Sequence, residues 1–376
     1  MRFSCFQRRL SWIGALSLLA ACSAWKHSAT EPRWLSPRPA LLPAAPTQTG
    51  ATLRVAVYGD TRGSRVTHRA VAAAIASERP DLVIFTGDAL ECLPVGHLPD
   101  LGGWQYAIPF WPQYHRQYPI ALLASLVPFP AALHDSVGTL VAPPRDPAGF
   151  NAFLEDSAPA LQHGAALLFV PGNHDVYHAY DRIDLARLLG TAPDHLWYAV
   201  DWSGYRFVVL DTGTDLLGDR DPMPAAGAQL RWLDEVLSDA ERIGLTAVVA
   251  AHLPPYSSAR EDGAIPWVEE RLVKKVLDRH RVPLVLNGHA HAYERIERTG
   301  ASGRPVTYVV TGGGGAPFFH KATEAIAGSR VFVEGVPHYV VLELAPGEIR
   351  GRMVPVAVAG TPAPSAAPDS FELALP

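Results

Sequence analysis

The sequence predicts an α/β fold, and three observations carry that prediction. First, short apolar runs rich in β-branched residues recur along the chain: LRVAVYGD (53–60), DLVIFTGD (81–88), ALLFVPGNHD (166–175), RFVVLDT (206–212), TAVVAAH (246–252) and PLVLNGHAH (283–291). Continuous apolar runs of this length, closed by turn residues, read as strands buried on both faces. Second, helical patterns separate several of them, as in HRAVAAAIASER (68–79), QLRWLDEVLSDAER (229–242) and EERLVKKVLDRH (269–280). Strand–helix alternation belongs to α/β sheets, whose ligands sit beyond the carboxyl ends of the strands. Third, each run ends in Asp, Asn or His, so the ends that carry polar residues can meet in one cleft.

The segments outside this alternation have other characters. Residues 1–21 place Arg2, Arg8 and Arg9 before the apolar SWIGALSLLAA, which is too short to span a bilayer and has the flanks of a secretory signal. LAAC at 19–22 looks like a bacterial lipoprotein signal. That resemblance implies cleavage before Cys22, acylation of Cys22, membrane attachment through the lipid and, from Ser23, the outer membrane. The chain is then an exported lipoprotein, periplasmic or at the cell surface. Residues 22–50, rich in Pro, Ala, Ser and Thr, read as a tether, and the folded domain is expected over 51–357. Residues 92–165 carry many Pro and aromatic residues without clean periodicity and read as an insertion, either a lid over the cleft or a helical flap. The tail, 358–376, reads as low-complexity.

Composition removes some functions. The chain has 376 residues, 48% hydrophobic and 18% charged, with net charge −5. Its basic residues form no patch of the kind that binds nucleic acid, so no nucleic-acid partner is expected. Loss of residues 1–21 removes Cys5, and with Cys22 acylated Cys92 is alone, which excludes an intramolecular disulfide. TGGGGAP (311–317) lacks the Lys-Ser/Thr of a phosphate loop and reads as a tight turn near the cleft. No G-x-S-x-G elbow is present.

The polar strand ends carry the chemistry. Asp60, Asp88, Asn173, His252, His289 and His291 are oxygen and imidazole donors without a thiolate, a set suited to Mn, Fe or Zn. Residues i and i+2 of an extended segment face one side, so His289 and His291 can both point inward. In order, GDTR (59–62), GDALE (87–91), GNHD (172–175), AAH (250–252) and GHAH (288–291), the last extended by AYER, resemble the calcineurin-like metallophosphoesterases, and within them the purple acid phosphatase-like branch. FVVLDT, QLRWL, AHLPPYSS and YVVTGGGG add to the likeness, which covers 53–345.

The resemblance implies a four-layer αββα sandwich of two mixed β-sheets flanked by helices. It also implies two divalent or trivalent ions (Fe, Mn or Zn) bridged by Asp88. Asp60 and His291 would hold the first ion; Asn173, His252 and His289 would hold the second. A hydroxide between ions about 3.5–4 Å apart would attack a phosphate monoester or diester. His174 would stand over the phosphate, with Asp175 orienting its ring. One position departs from the family. Where most members place a metal-binding histidine, two residues after the first Asp, this chain has Arg62, whose guanidinium has no lone pair for a metal. Purple acid phosphatases fill the gap with a tyrosine three residues after the bridging Asp, and here that residue is Glu91. Glu91 is expected to complete the first site or to support it from behind. Arg62 is expected to clamp the substrate phosphate or to balance the carboxylates. The rival reading is a ligand-binding surface lipoprotein without catalysis, with a degraded first site. Asp211 is expected to order a turn. Oligomeric state has no signal in the sequence.

Overall fold

The computed structural model describes residues 52–90, 149–176, 179–213, 226–260, 263–301, 303–318, 320–321, 324–358 and 368–375. Glu91, Cys22 and Cys92 lie outside them, as do the signal and the tether. The six apolar runs become β1 (Leu53–Tyr58), β2 (Leu82–Phe85), β3 (Ala166–Phe169), β5 (Tyr205–Leu210), β6 (Thr246–Ala251) and β7 (Leu284–Asn287). To these are added β4 (Tyr198–Trp202), β8 (Tyr293–Thr299), β9 (Pro305–Thr311), β10 (Ser329–Val333), β11 (His338–Ala345), β12 (Glu348–Pro355) and β13 (Ser370–Ala374). The helices are α1 (Arg65–Glu78), α2 (Gly149–Leu161), α3 (Ala179–Leu189) and α4 (Ala226–Ile243), followed by a helical stretch through Pro266–Val268 and Glu269–Val273.

The strands form two mixed sheets, in the orders β13-β12-β11-β1-β2-β3 and β10-β8-β9-β7-β6-β5-β4. β1, β2 and β3 run parallel, as do β5, β6, β7 and β9, so their carboxyl ends share one edge of each sheet.

Side-chain alternation builds the layers, because successive residues of a strand face opposite sides. Val55, Val57 and Ile84 of the first sheet pack with Phe207, Val209, Ala250 and Leu286 of the second, forming the core between the sheets. The alternate residues Ala56, Tyr58, Val83 and Phe85 pack outward against Val71 and Ile75 of α1 and Phe150 and Phe153 of α2. On the far side Val208, Val249 and Val285 pack against Leu233 and Leu237 of α4 and Leu272 and Val276. This is the four-layer αββα sandwich. Ser64 caps α1, its side chain accepting from Thr67 N–H, and Arg79 ends it in a left-handed conformation.

Two expectations are corrected. The 92–165 region is not all insertion: α2 is a crossover helix between β2 and β3, burying Phe150, Phe153 and Leu154 at helical spacing. The remainder of that region that precedes Gly149 lies outside the described residues. The tail is not all low-complexity either. β13 pairs antiparallel with β12, with Phe371 and Leu373 packed against the inter-sheet core. Asp369 just before it accepts from Tyr293 Oη at 2.6 Å and Arg295 Nε at 2.8 Å, which ties the tail to β8.

Candidate metal centre

The loops after β1, β2, β3, β6 and β7 meet at one place. Asp60 N–H donates to Gly87 O at 2.8 Å, and Thr61 and Arg62 N–H both donate to Asp88 O, so the first two loops are stitched together. Asp60, Asp88 and His289 all have positive φ, at 59°, 64° and 70°. A left-handed conformation outside glycine costs on the order of 1–3 kcal/mol. Burial of each neighbour such as Val57, Ile84 and Leu286 contributes about 1.5–3 kcal/mol, so the flanking strands can hold the strain in place. Close approach explains the glycines of the motifs: a Cβ on Gly172 would lie 2.3 Å from Asp88 Oδ1, and one on Gly314 2.3 Å from Gly59 O. The TGGGG segment leaves β9 in a bend packed on the β1 loop, with Gly314 N–H donating to Gly59 O and Ala316 N–H to Asp60 O.

Each predicted metal-binding residue among the described ones is buried here: Asp60, Asp88, Asn173, His252, His289 and His291. On one side Asn173 Oδ1 lies 2.9 Å from His252 Nε2 and 3.1 Å from His289 Nδ1, and His252 Nε2 lies 3.3 Å from Asp88 Oδ1. His252 Nδ1 is 2.7 Å from the Thr86 carbonyl. An imidazole donating there through Nδ1–H presents its Nε2 lone pair to Asn173 Oδ1 and Asp88 Oδ1. Three acceptors turned on one another repel, and a cation among them relieves that. The spacing fits as well, since cis ligands about 2.1 Å from an ion lie about 3 Å apart. The residues present therefore fit a metal ion on this side.

On the other side Asp60 Oδ1 lies 3.5 Å from His291 Nε2, and donor atoms of Asp60, Asp88 and His291 fall within 4.8 Å of one another. Arg62 enters this group. Its Nε donates to Asp88 Oδ2 at 3.2 Å, and its Nη2 lies 3.4 Å from His291 Nε2.

Electrostatics separate the two carboxylates. Burial pushes the Asp60 pKa up to about 7, with the Asp88 charge adding to the rise. Burial also works against the Asp88 anion, but His252, His174 and Arg62 together outweigh it and hold its pKa below the usual carboxylate range. Burial and the Arg62 charge lower His174 and His291 to about 3, so both imidazoles are neutral at pH 7.

His174 N–H donates to Asp88 Oδ1 at 3.0 Å, and its Nε2 lies 3.8 Å from Asp88 Oδ2. Asp175, expected to orient the His174 ring, acts on the backbone. Its carboxylate accepts N–H donors from Asp88 (2.8 Å), Ala89 (2.8 Å), Leu90 (3.1 Å) and Gly172 (2.9 Å), clamping the β2 loop to the β3 loop. Asp211 orders a turn as expected, accepting from Gly213 N–H at 3.3 Å and pairing with Arg182. Residues that sequence reasoning passed over are mostly backbone carbonyls. Thr86 O orients His252, and Pro317 O, 2.5 Å from His291 Nδ1, orients that ring. Glu294 of AYER is a further supporting group: it accepts from Ser257, Ser258 and Ser329, anchoring the loop after β6. A separate concavity of about 460 Å³ lies at the amino ends of β2 and β3, lined by Arg79, Asp81, His163 and Trp202.

Comparison with known proteins gives the family and the fold. Residues 53–293 match the family model described as calcineurin-like phosphoesterase. Purple acid phosphatase 23 of Arabidopsis thaliana is 29% identical over 144 residues, 35% of this chain and 29% of the relative, so the chain aligns with less than a third of that protein. A purple acid phosphatase from yellow lupin (Lupinus luteus) seeds superposes with a TM-score of 0.55 at 16% identity, covering 88% of this chain and 55% of that one. GAP50, the anchor in the inner membrane complex of Plasmodium, gives 0.54 at 16% identity, covering 86% and 89%. A dimetal phosphatase from Danio rerio gives 0.50 at 14% identity, covering 86% and 98%. These structural likenesses concern the fold. The family match spans every strand end of the cleft, from Asp60 to His291, and the chain belongs to the calcineurin-like phosphoesterase family.

Proposed function

We propose that this chain is a metal-dependent hydrolase of phosphate esters, acting on monoesters or diesters at the cleft between Asp60 and His291. The observation that carries the reading is the mutual approach of Asp88 Oδ1, Asn173 Oδ1, His252 Nε2 and His289 Nδ1, within 2.9–3.3 Å along the chain of contacts. A metal ion bound there polarises a phosphoryl oxygen and brings the pKa of water toward neutrality. The chain's own residues supply the rest. Asp88 carries the anionic charge that holds a cation, and the Asp175 clamp fixes where that charge points. His174, neutral at pH 7, can donate an N–H to a phosphate oxygen but has no extra proton to give. That favours stabilising the transition state over protonating the leaving group. The Arg62 guanidinium adds a fixed positive charge where negative charge gathers on the phosphoryl oxygens.

Two ions sharing Asp88, with Glu91 completing the first, are the arrangement the resemblance implies. Donors gather on both sides: Asp60, Asp88 and His291 fall within 4.8 Å of one another, and Asn173 Oδ1 lies between His252 and His289, while Arg62 enters the Asp60 side. That entry of Arg62 also favours a second reading, a ligand-binding protein without turnover, since a fold does not by itself set function and one fold neighbour is described as an anchor in the inner membrane complex of Plasmodium. Turnover of an aryl phosphate and of its bis-aryl diester by metal-loaded wild type and by Asp88→Asn separates the two. Hydrolysis lost in the variant supports the enzyme; no hydrolysis of either substrate by a metal-loaded wild type supports the binder.

The N-terminus carries a separate proposal: export, cleavage before Cys22, acylation of that residue and attachment to the outer membrane. Expressed at full length in a bacterium, the wild type should enter the detergent phase of a Triton X-114 separation, and Cys22→Ser should remain in the aqueous phase. Equal partitioning of the two would end that proposal.

A further inference from the structure

We infer that this chain holds one metal ion rather than two, and that the Arg62 guanidinium is the fixed cation in the place of the other. The inference rests on the phosphoesterase reading for the identity of the cleft and changes what fills it. Its basis is which donor atoms Arg62 engages. His291 directs Nδ1 at the Pro317 carbonyl, 2.5 Å away, which leaves the Nε2 lone pair as its means of holding a metal. Arg62 Nη2 lies 3.4 Å from that nitrogen. Asp88 divides its carboxylate: Oδ1 faces His252, while Oδ2, the oxygen left for a first ion, accepts from Arg62 Nε at 3.2 Å. The guanidinium thus takes up donor atoms on two of the three residues, Asp60, Asp88 and His291, that converge on this side.

Arg62 is not a side chain that swings in from solvent. Its side chain is 6% exposed, and its backbone N–H is bonded to the Asp88 carbonyl beside that of Thr61. A guanidinium keeps its proton throughout the working pH range and offers no lone pair, so it can neither leave as a neutral group nor act as a ligand. A divalent ion among the same atoms would lie within a few ångströms of a like charge in a buried site, where repulsion is weakly screened. On the opposite side His252 Nε2 meets Asp88 Oδ1 at 3.3 Å, and Asn173 Oδ1 lies between His252 Nε2 and His289 Nδ1, so a donor set runs from that oxygen without the guanidinium. The cleft therefore has one ion site and one built-in cation, and a phosphate ester bound across it meets a Lewis acid on one side and a planar hydrogen-bond donor on the other.

Metal counting tests this independently of turnover. Metal-depleted full-length protein is equilibrated with Mn(II), dialysed, and assayed for ions per chain and for the electron paramagnetic resonance of the bound metal. The wild type should hold one ion with the six-line signal of an isolated Mn(II). Arg62→His, which removes the guanidinium and supplies an imidazole, should hold two ions with a spin-coupled signal. Arg62→Gln, the control if the His variant does not fold, should take a second ion more weakly. Two ions or a coupled signal in the wild type would overturn the inference, as would a folded Arg62→His that still binds one. A wild type that binds no ion would instead overturn the phosphoesterase reading.

Discussion

The two halves of the cleft are made from similar residues and differ in one cation. On the Asn173 side Asp88 Oδ1, His252 Nε2, Asn173 Oδ1 and His289 Nδ1 follow one another at 3.3, 2.9 and 3.1 Å. On the Asp60 side donor atoms of Asp60, Asp88 and His291 fall within 4.8 Å of one another, but Arg62 lies among them, against Asp88 Oδ2 and His291 Nε2. The same asymmetry shows in the acids, since burial raises Asp60 to about 7 while Asp88, with His252, His174 and Arg62 around it, is held below the usual carboxylate range. The comparison teaches that a list of ligand residue types does not decide what a site holds. A single arginine on a backbone bonded to the bridging residue can convert half of a metal centre into an ion pair.

Breaking the shared residue should have the largest effect. Asp88→Asn is expected to cut kcat/KM by about 10³-fold or more, because several kcal/mol of charge stabilisation go with it, and steady-state assays on an aryl phosphate read this directly. Next come the imidazoles on either side. His252→Ala should weaken Mn(II) binding by at least about 10²-fold in calorimetric titration, whereas His291→Ala should change it only a few-fold. Similar losses in both would erase the distinction between the halves. Asp175→Asn puts an amide N–H against backbone N–H donors. It is expected to lower kcat about 10–100-fold with a smaller change in KM, together with a lower melting temperature.

The smallest effect concerns stability. Asp60 has a folded pKa of about 7 against 3.8 when exposed, so the metal-free folded state holds an extra proton between those values. Its burial then costs stability as pH rises from 4 to 7, and the full cost is present above 7. Asp60→Asn should therefore stabilise the metal-free protein at pH 8, by on the order of 1–2 kcal/mol, and not at pH 4. Denaturant titrations at the two pH values check this; Asp88→Asn, whose acid is shifted the other way, should not gain.

Much of this was legible in the sequence because the signals were local. Six apolar runs gave six strands, and their Asp, Asn and His ends gave the donor set, since a strand buried on both faces leaves only its ends for polar chemistry. α2 was obscured by the Pro- and aromatic-rich text before it, although Phe150, Phe153 and Leu154 have helical spacing. β13 was obscured by the Pro- and Ala-rich stretch preceding it, although Phe371 and Leu373 alternate with polar residues. The sequence also shows that Arg62 cannot ligate a metal. Where its guanidinium lies depends on packing the β1 loop against Asp88 and His291, the latter 229 residues away, and no local pattern reports that. The Asp175 clamp was hidden for the same reason, its partners being backbone N–H groups that every sequence possesses.

The most direct measurement is anomalous diffraction from crystals of the wild type grown with Mn(II) or Zn(II). The account predicts one anomalous peak per chain, bounded by Asp88 Oδ1, Asn173 Oδ1, His252 Nε2 and His289 Nδ1, with the Arg62 guanidinium still against Asp88 Oδ2. A second peak among Asp60, Asp88 Oδ2 and His291, with Arg62 turned away, would contradict it.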